Sequence, residues 1–123
     1  MSILSLYLRA ARARLRLRGI AGHWIDTPSG RVHCYRGEGR PDGPRIVVLH
    51  GLGSNATTYD RILKLLKPHC SLLLAPDLPG HGFSENPEGG LEPSELSSTV
   101  SDVLSRISDE PFVLMGTSLG GGL

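Results

Sequence analysis

The sequence has no run of about twenty apolar residues, the length a helix needs to cross a bilayer, so it holds no candidate membrane span. Cysteine is scarce. Cys34 and Cys70 are the only two, and their spacing is neither that of a metal site nor that of a C-x-x-C pair. They read as reduced, partly buried thiols in a reducing compartment, with a single disulfide as the alternative. Acid is missing from residues 1–25, which carry five arginines, while the remainder carries eight basic and twelve acidic residues for a net charge of +1 overall. The body therefore offers no general basic surface, and no aromatic residue interleaves the arginines; both features count against a nucleic-acid partner. A secretory signal is lacking too, because Ile3, Leu4, Leu6, Tyr7 and Leu8 precede the arginines instead of following them.

Glycine and proline are plentiful, at 16 and 9, and they fall between apolar runs as punctuation. Residues 2–18 predict a basic amphipathic helix, set apart as a unit at 1–20. Ser2, Ser5, Arg9, Arg12 and Arg16 share one side of the wheel, and Ile3, Leu4, Leu6, Leu8, Leu15 and Leu17 fill most of the rest, interrupted by Arg14 and Arg18. His23–Thr27 and Arg31–Arg36 predict a hairpin turned by Pro28-Ser29-Gly30. Arg45–Leu49, Ser71–Ala75 and Phe112–Met115 predict three strands buried on both faces. Between them, a helix is expected from about Thr57 to Lys67, opened by a Thr57/Asp60 capping box and stopped by Pro68. A second is expected near Pro93–Ile107, with Leu96, Val100, Val103, Leu104 and Ile107 as its stripe. Strand, helix, strand, helix, strand is the alternation of an α/β doubly wound sheet over residues 21–123.

Each of the three strands runs into a glycine-containing loop. Gly116-Thr117-Ser118-Leu119-Gly120 has the form G-x-S-x-G directly after a strand. A serine on so sharp a turn exposes its hydroxyl, and neighbouring chains pass too close for side chains at Gly116 and Gly120. His50-Gly51-Leu52-Gly53 follows the first strand, and Asp77-Leu78-Pro79-Gly80-His81-Gly82-Phe83-Ser84 follows the second.

In that order the three motifs resemble the α/β-hydrolase fold family, in its esterase, lipase and C–C hydrolase branch, over residues 23–121. The resemblance implies the amino-terminal part of a mainly parallel, doubly wound hydrolase sheet. Ser118 would be the nucleophile, and the backbone N–H groups of Leu52 and Leu119 the oxyanion hole. His50 and Gly51 would fix the loop that carries Leu52, and Asp77 and His81 would brace the loop below the sheet. A serine nucleophile argues against epoxide hydrolases and many haloalkane dehalogenases, which use aspartate in this family.

The expected reaction is hydrolysis of a small carboxylic ester through an acyl-enzyme, without metal or cofactor. Asp77, His81 and His50 do not make a metal-ligand set by spacing alone. The alternative is a non-catalytic binding or regulatory fragment of hydrolase ancestry. The family places its acid and histidine after the nucleophile; here five residues follow Ser118 and none is acidic or histidine. The chain is therefore expected to be an incomplete domain, inactive by itself. His23, His33 and His69 are expected to be surface or strand residues. The amino-terminal helix has three readings: a cover for apolar surface elsewhere in the protein, an in-plane membrane helix over residues 1–18, and, least favoured, a nucleic-acid contact. The expected location is the cytoplasm, with the inner membrane surface if the helix binds lipid.

Overall fold

Ser2 opens the first helix, α1 (Ile3–Leu17), by accepting the Ser5 N–H on its hydroxyl at 3.1 Å. Gly19, at φ +77°, turns the chain out of it. The computed structural model describes residues 2–28, 30–51, 54–86 and 92–116. Against the body α1 lays Leu8, Ala11 and Leu15, the last two almost wholly buried. Arg14 and Arg18, which interrupt the apolar side of the wheel, separate these inward residues from a second apolar set. Ile3, Leu6, Ala10, Ala13 and Leu17 lie exposed on the side away from the sheet.

The strands β1 (Ala21–Thr27), β2 (Gly30–Gly37), β3 (Arg45–Leu49), β4 (Leu72–Pro76) and β5 (Val113–Gly116) form one sheet in the order β1-β2-β4-β3-β5. β1 and β2 make the expected hairpin, and β2 pairs antiparallel with β4; β3 pairs parallel with both β4 and β5. The sheet is thus mixed, its hydrolase-like parallel part beginning only at β4. Ile46, Val47, Val48 and Leu49, like Leu72 to Ala75, are buried on both faces, and each such valine or leucine contributes roughly 1.5–3 kcal/mol. Two helices cover opposite faces. Leu63 of α2 (Asp60–Leu66) joins Leu15, Tyr35, Val48 and Leu73 on one. Val100 of α3 (Pro93–Ile107) joins Cys34, Val47, Leu49 and Leu74 on the other. Cys34 and Cys70 fall in these separate clusters as buried free thiols. Burial pushes the Cys34 thiol up to about 12, and the Cys70 thiol also rises.

Two local expectations change. The helix after β3 starts as a 3-10 turn, Ala56–Tyr59, capped by Asn55, whose side-chain oxygen accepts the Thr57 N–H at 3.0 Å. Asn55 is the better-placed acceptor, so no Thr57/Asp60 box forms. The α-helix ends at Leu66, just before Pro68 as expected, and Pro68 sits in a following 3-10 turn, Lys67–His69, where its missing N–H costs nothing. β5 is not buried: Val113 and Leu114 are more than half exposed, because it is the edge strand and no described element covers its faces.

Candidate active site

Three strand ends meet at one edge of the sheet. Leu49, the last residue of β3, pairs with Gly116, the last of β5. The chain therefore leaves these adjacent parallel strands, at His50 and after Gly116, at the same level, about 4.8 Å apart. β4 delivers Asp77 beside them. Ser118, Leu52, Leu119 and Gly120 lie outside the described residues, so the site is built here from what surrounds them.

His50 is fully buried and both ring nitrogens are engaged. The Leu78 N–H donates to Nε2 at 2.9 Å, so Nε2 carries no proton. Nδ1 carries it and donates to the Gly51 carbonyl at 2.8 Å. The same carbonyl accepts the Ser54 N–H at 3.1 Å, which anchors both flanks of Leu52 and Gly53. His50 thus ties the β3 loop to the β4 loop as a neutral ring. Burial, the main cause, lowers its pKa, and the nearby His81 ring adds to this, while the Gly51 carbonyl and Asp77 act the other way.

The stability consequence has a definite sign. A histidine depressed in the folded state binds fewer protons there than in the unfolded chain, so its contribution is complete above the ordinary value of 6.5 and is lost as pH falls through the folded pKa. Urea midpoints should fall as pH drops below that value. His50→Gln, which keeps an acceptor but cannot titrate, should flatten that slope; an unchanged slope would show that another group sets it.

Asp77 is the hub. Its carboxylate accepts the Ala56 N–H on Oδ1 at 2.8 Å, and on Oδ2 the Phe83 N–H at 3.2 Å and His33 Nδ1 at 3.0 Å. Its own N–H donates to the His33 carbonyl at 2.8 Å, and its carbonyl accepts the Ser84 hydroxyl. One side chain thereby joins β2, the start of the 3-10 turn and the loop after β4. Gly82, at φ +54°, closes this loop against it. A Cβ there would lie 2.3 Å from Asp77 Cγ. His81 is buried, its Nδ1 donating to the Pro79 carbonyl at 3.1 Å, with its ring 5.1 Å from that of His50. The bracing expected of Asp77 corresponds to these contacts.

His33 is the residue the sequence underrated. It is a strand residue, as expected, but wholly buried, its ring edge-on to Trp24 and Tyr35 and tilted against Phe83. Gly22 on β1 leaves it room, since a Cβ there would come within 2.3 Å of its Nε2. The available signal was alternation: His33 shares its strand face with Tyr35, a core residue. Its partner Asp77 lies 44 positions away, which no local pattern reveals. Among the described residues no group of His, Cys, Asp or Glu is arranged to hold a metal ion. An open depression of about 410 Å³ lined by Arg45, Ser71, Glu110 and Phe112 lies at the opposite ends of the strands, away from these loops.

The sequence profile of the alpha/beta hydrolase family matches residues 46–123. The chain belongs to the α/β-hydrolase family. Relatives of this chain include an esterase of Mycobacterium tuberculosis, 36% identical over 94 residues that cover 76% of the chain and 30% of the relative. A pimeloyl-[acyl-carrier protein] methyl ester esterase of Xanthomonas oryzae is 37% identical over 79 residues, covering 64% of the chain and 29% of the relative. The chain thus spans less than a third of the length of either. Among solved structures, a bacterial membrane phospholipase A superposes with a TM-score of 0.81 at 24% identity, over 95% of this chain and 38% of that one. A lipase of Acinetobacter baumannii does so at 0.81 and 19%, over 99% and 40%. A haloalkane dehalogenase of Bradyrhizobium elkanii also matches, at 0.76 and 21%, over 85% and 34%. The fold is therefore a hydrolase fold shared by several chemistries, and the choice among them rests on the site. Among the described residues no helix is long and apolar enough to cross a membrane.

Proposed function

We propose that this hydrolase cleaves a small carboxylic ester through an acyl-enzyme on Ser118, with the N–H groups of Leu52 and Leu119 receiving the oxyanion. The observation that carries this is the Leu49–Gly116 register. Leu52 follows Leu49 by three residues and Ser118 follows Gly116 by two, so adjacent strands lead nucleophile and oxyanion donor to the same edge. His50 and the Gly51 carbonyl support the position of Leu52, and Asp77 with His81 supports the loop beneath.

The reaction begins with attack of the Ser118 hydroxyl on the ester carbonyl. The serine proton passes to a base, the tetrahedral oxyanion collapses, and the alcohol leaves with that proton; water then releases the acid. None of His33, His50 and His81 is suited to be the base, because each is buried with at least one ring nitrogen bonded away from the site. The base is a histidine outside residues 1–123, oriented by an acid also outside them, and the chain alone does not turn over. Residues 1–18 take part as a peripheral membrane contact, supported by the exposure of Ile3, Leu6 and Leu17.

Hydrolysis of p-nitrophenyl esters tests the assignment. A protein that carries this chain together with the downstream acid and histidine should be active. Ser118→Ala should lose roughly four or more orders of magnitude in kcat, while the 123-residue chain should stay near the uncatalysed rate. Activity retained in Ser118→Ala would remove Ser118 as nucleophile.

A further inference from the structure

The helix α1 carries two apolar stripes, and only one is used by the fold. Leu8, Ala11 and Leu15 pack inward. The outward stripe of Ile3, Leu6, Ala10, Ala13 and Leu17 recurs at helical spacing along the whole element, and Ile3 and Leu17 are more than four-fifths exposed. Its borders are cationic. Arg9 and Arg16 flank it on one side, Arg14 and Arg18 on the other, all four exposed and all outside the salt bridges that the described residues form. The fifth arginine, Arg12, belongs to the fold, its guanidinium 5.3 Å from the Phe83 ring centre.

Two contacts give the direction of α1. Gly19, past its carboxyl end, lies against Lys67, which precedes β4. Arg12 lies over Phe83, in the loop that follows β4. The amino-terminal turn, with exposed Ile3, Leu4, Leu6 and Tyr7, therefore points towards the edge of the sheet that holds the candidate site.

We propose that α1 seats its outward stripe on a lipid surface bearing anionic headgroups, lying in the interface plane with the site edge beside its apolar amino end. Charge complementarity selects this occupant. A stripe bordered by arginines on both sides, with no acid in residues 1–25, repels a second copy of itself and suits phosphate-bearing lipid. The lipid contact rests on the membrane-peripheral part of the proposed function, and the placement of the site edge rests on Ser118 being the nucleophile.

The test is sedimentation of the full chain with vesicles of phosphatidylcholine alone and of phosphatidylcholine mixed with phosphatidylglycerol. Binding should strongly favour the mixed vesicles. Joint replacement Arg9→Gln, Arg14→Gln and Arg16→Gln should weaken it on the order of a hundredfold. Ile3→Ser with Leu6→Ser and Leu17→Ser should abolish it, with circular dichroism unchanged because the inward residues are untouched. Equal partitioning onto both vesicle types, no binding to either, or a lipid-free oligomer dispersed by the serine substitutions would each overturn the proposal. In a protein that carries this chain with the downstream acid and histidine, Ser118→Ala should lose ester hydrolysis yet bind vesicles like the parent, so the two losses report separately.

Discussion

Asp77→Ala should cost about 3–5 kcal/mol of stability, the range for stripping one partner from a buried charged cluster. The carboxylate is 1% exposed and accepts from Ala56, Phe83 and His33. Alanine leaves two backbone N–H groups and an imidazole N–H without an acceptor, in a volume closed to solvent. A domain of this size has about 5–15 kcal/mol in all, so the loss is a large share of it. Asp77→Asn should do almost as badly. An amide presents one oxygen and one NH2, and with donors converging on both positions the NH2 must face an N–H. Urea denaturation of the two variants checks this; a loss below about 1 kcal/mol for either would mean that the three donors find water instead.

Gly82→Ala should be the second large effect, about 3 kcal/mol, for two separable reasons. A left-handed backbone at φ +54° disfavours any residue with a Cβ by roughly 1–2 kcal/mol. The added methyl would also lie 2.4 and 2.5 Å from the two Asp77 carboxylate oxygens, far inside contact distance. Relief requires the loop after β4 to retreat and give up the Phe83 N–H bond. The clash has a specific signature. In an Asp77→Ala background the second cause disappears, so Gly82→Ala should then cost only the backbone share, leaving a coupling of roughly 1–2 kcal/mol in a double-mutant cycle. Strict additivity would show that the methyl and the carboxylate never meet.

These two residues also show how far the sequence could be read. The strand–loop order was legible because β3 and β4 are continuous apolar runs ending in glycine-rich loops, and α3 spans Pro93–Ile107 as its stripe and its initial proline require. Asp77 and His81 were expected from the motif to brace a loop. What they brace was not, because Ala56 and His33 reach Asp77 from 21 and 44 positions away. Burial of His33 depends on a gap at Gly22, across the hairpin, a tertiary fact that composition cannot encode. β5 differs for another reason. Val113-Leu114-Met115 has the apolarity of a central strand, and among the described residues only β3 pairs with it, which leaves it exposed here. In α1 the helix was legible at Ile3–Leu17, but the wheel only counts apolar residues, and packing divides them between sheet and solvent.

We propose Ser118, two positions after the end of β5, as the acylated residue. The most direct test is reaction with a fluorophosphonate, followed by peptide mapping, in a protein that carries this chain with the downstream acid and histidine. A single adduct on the peptide containing Gly116-Thr117-Ser118, absent from Ser118→Ala, is the expected result. An adduct on any other residue, or undiminished labelling of Ser118→Ala, would contradict it.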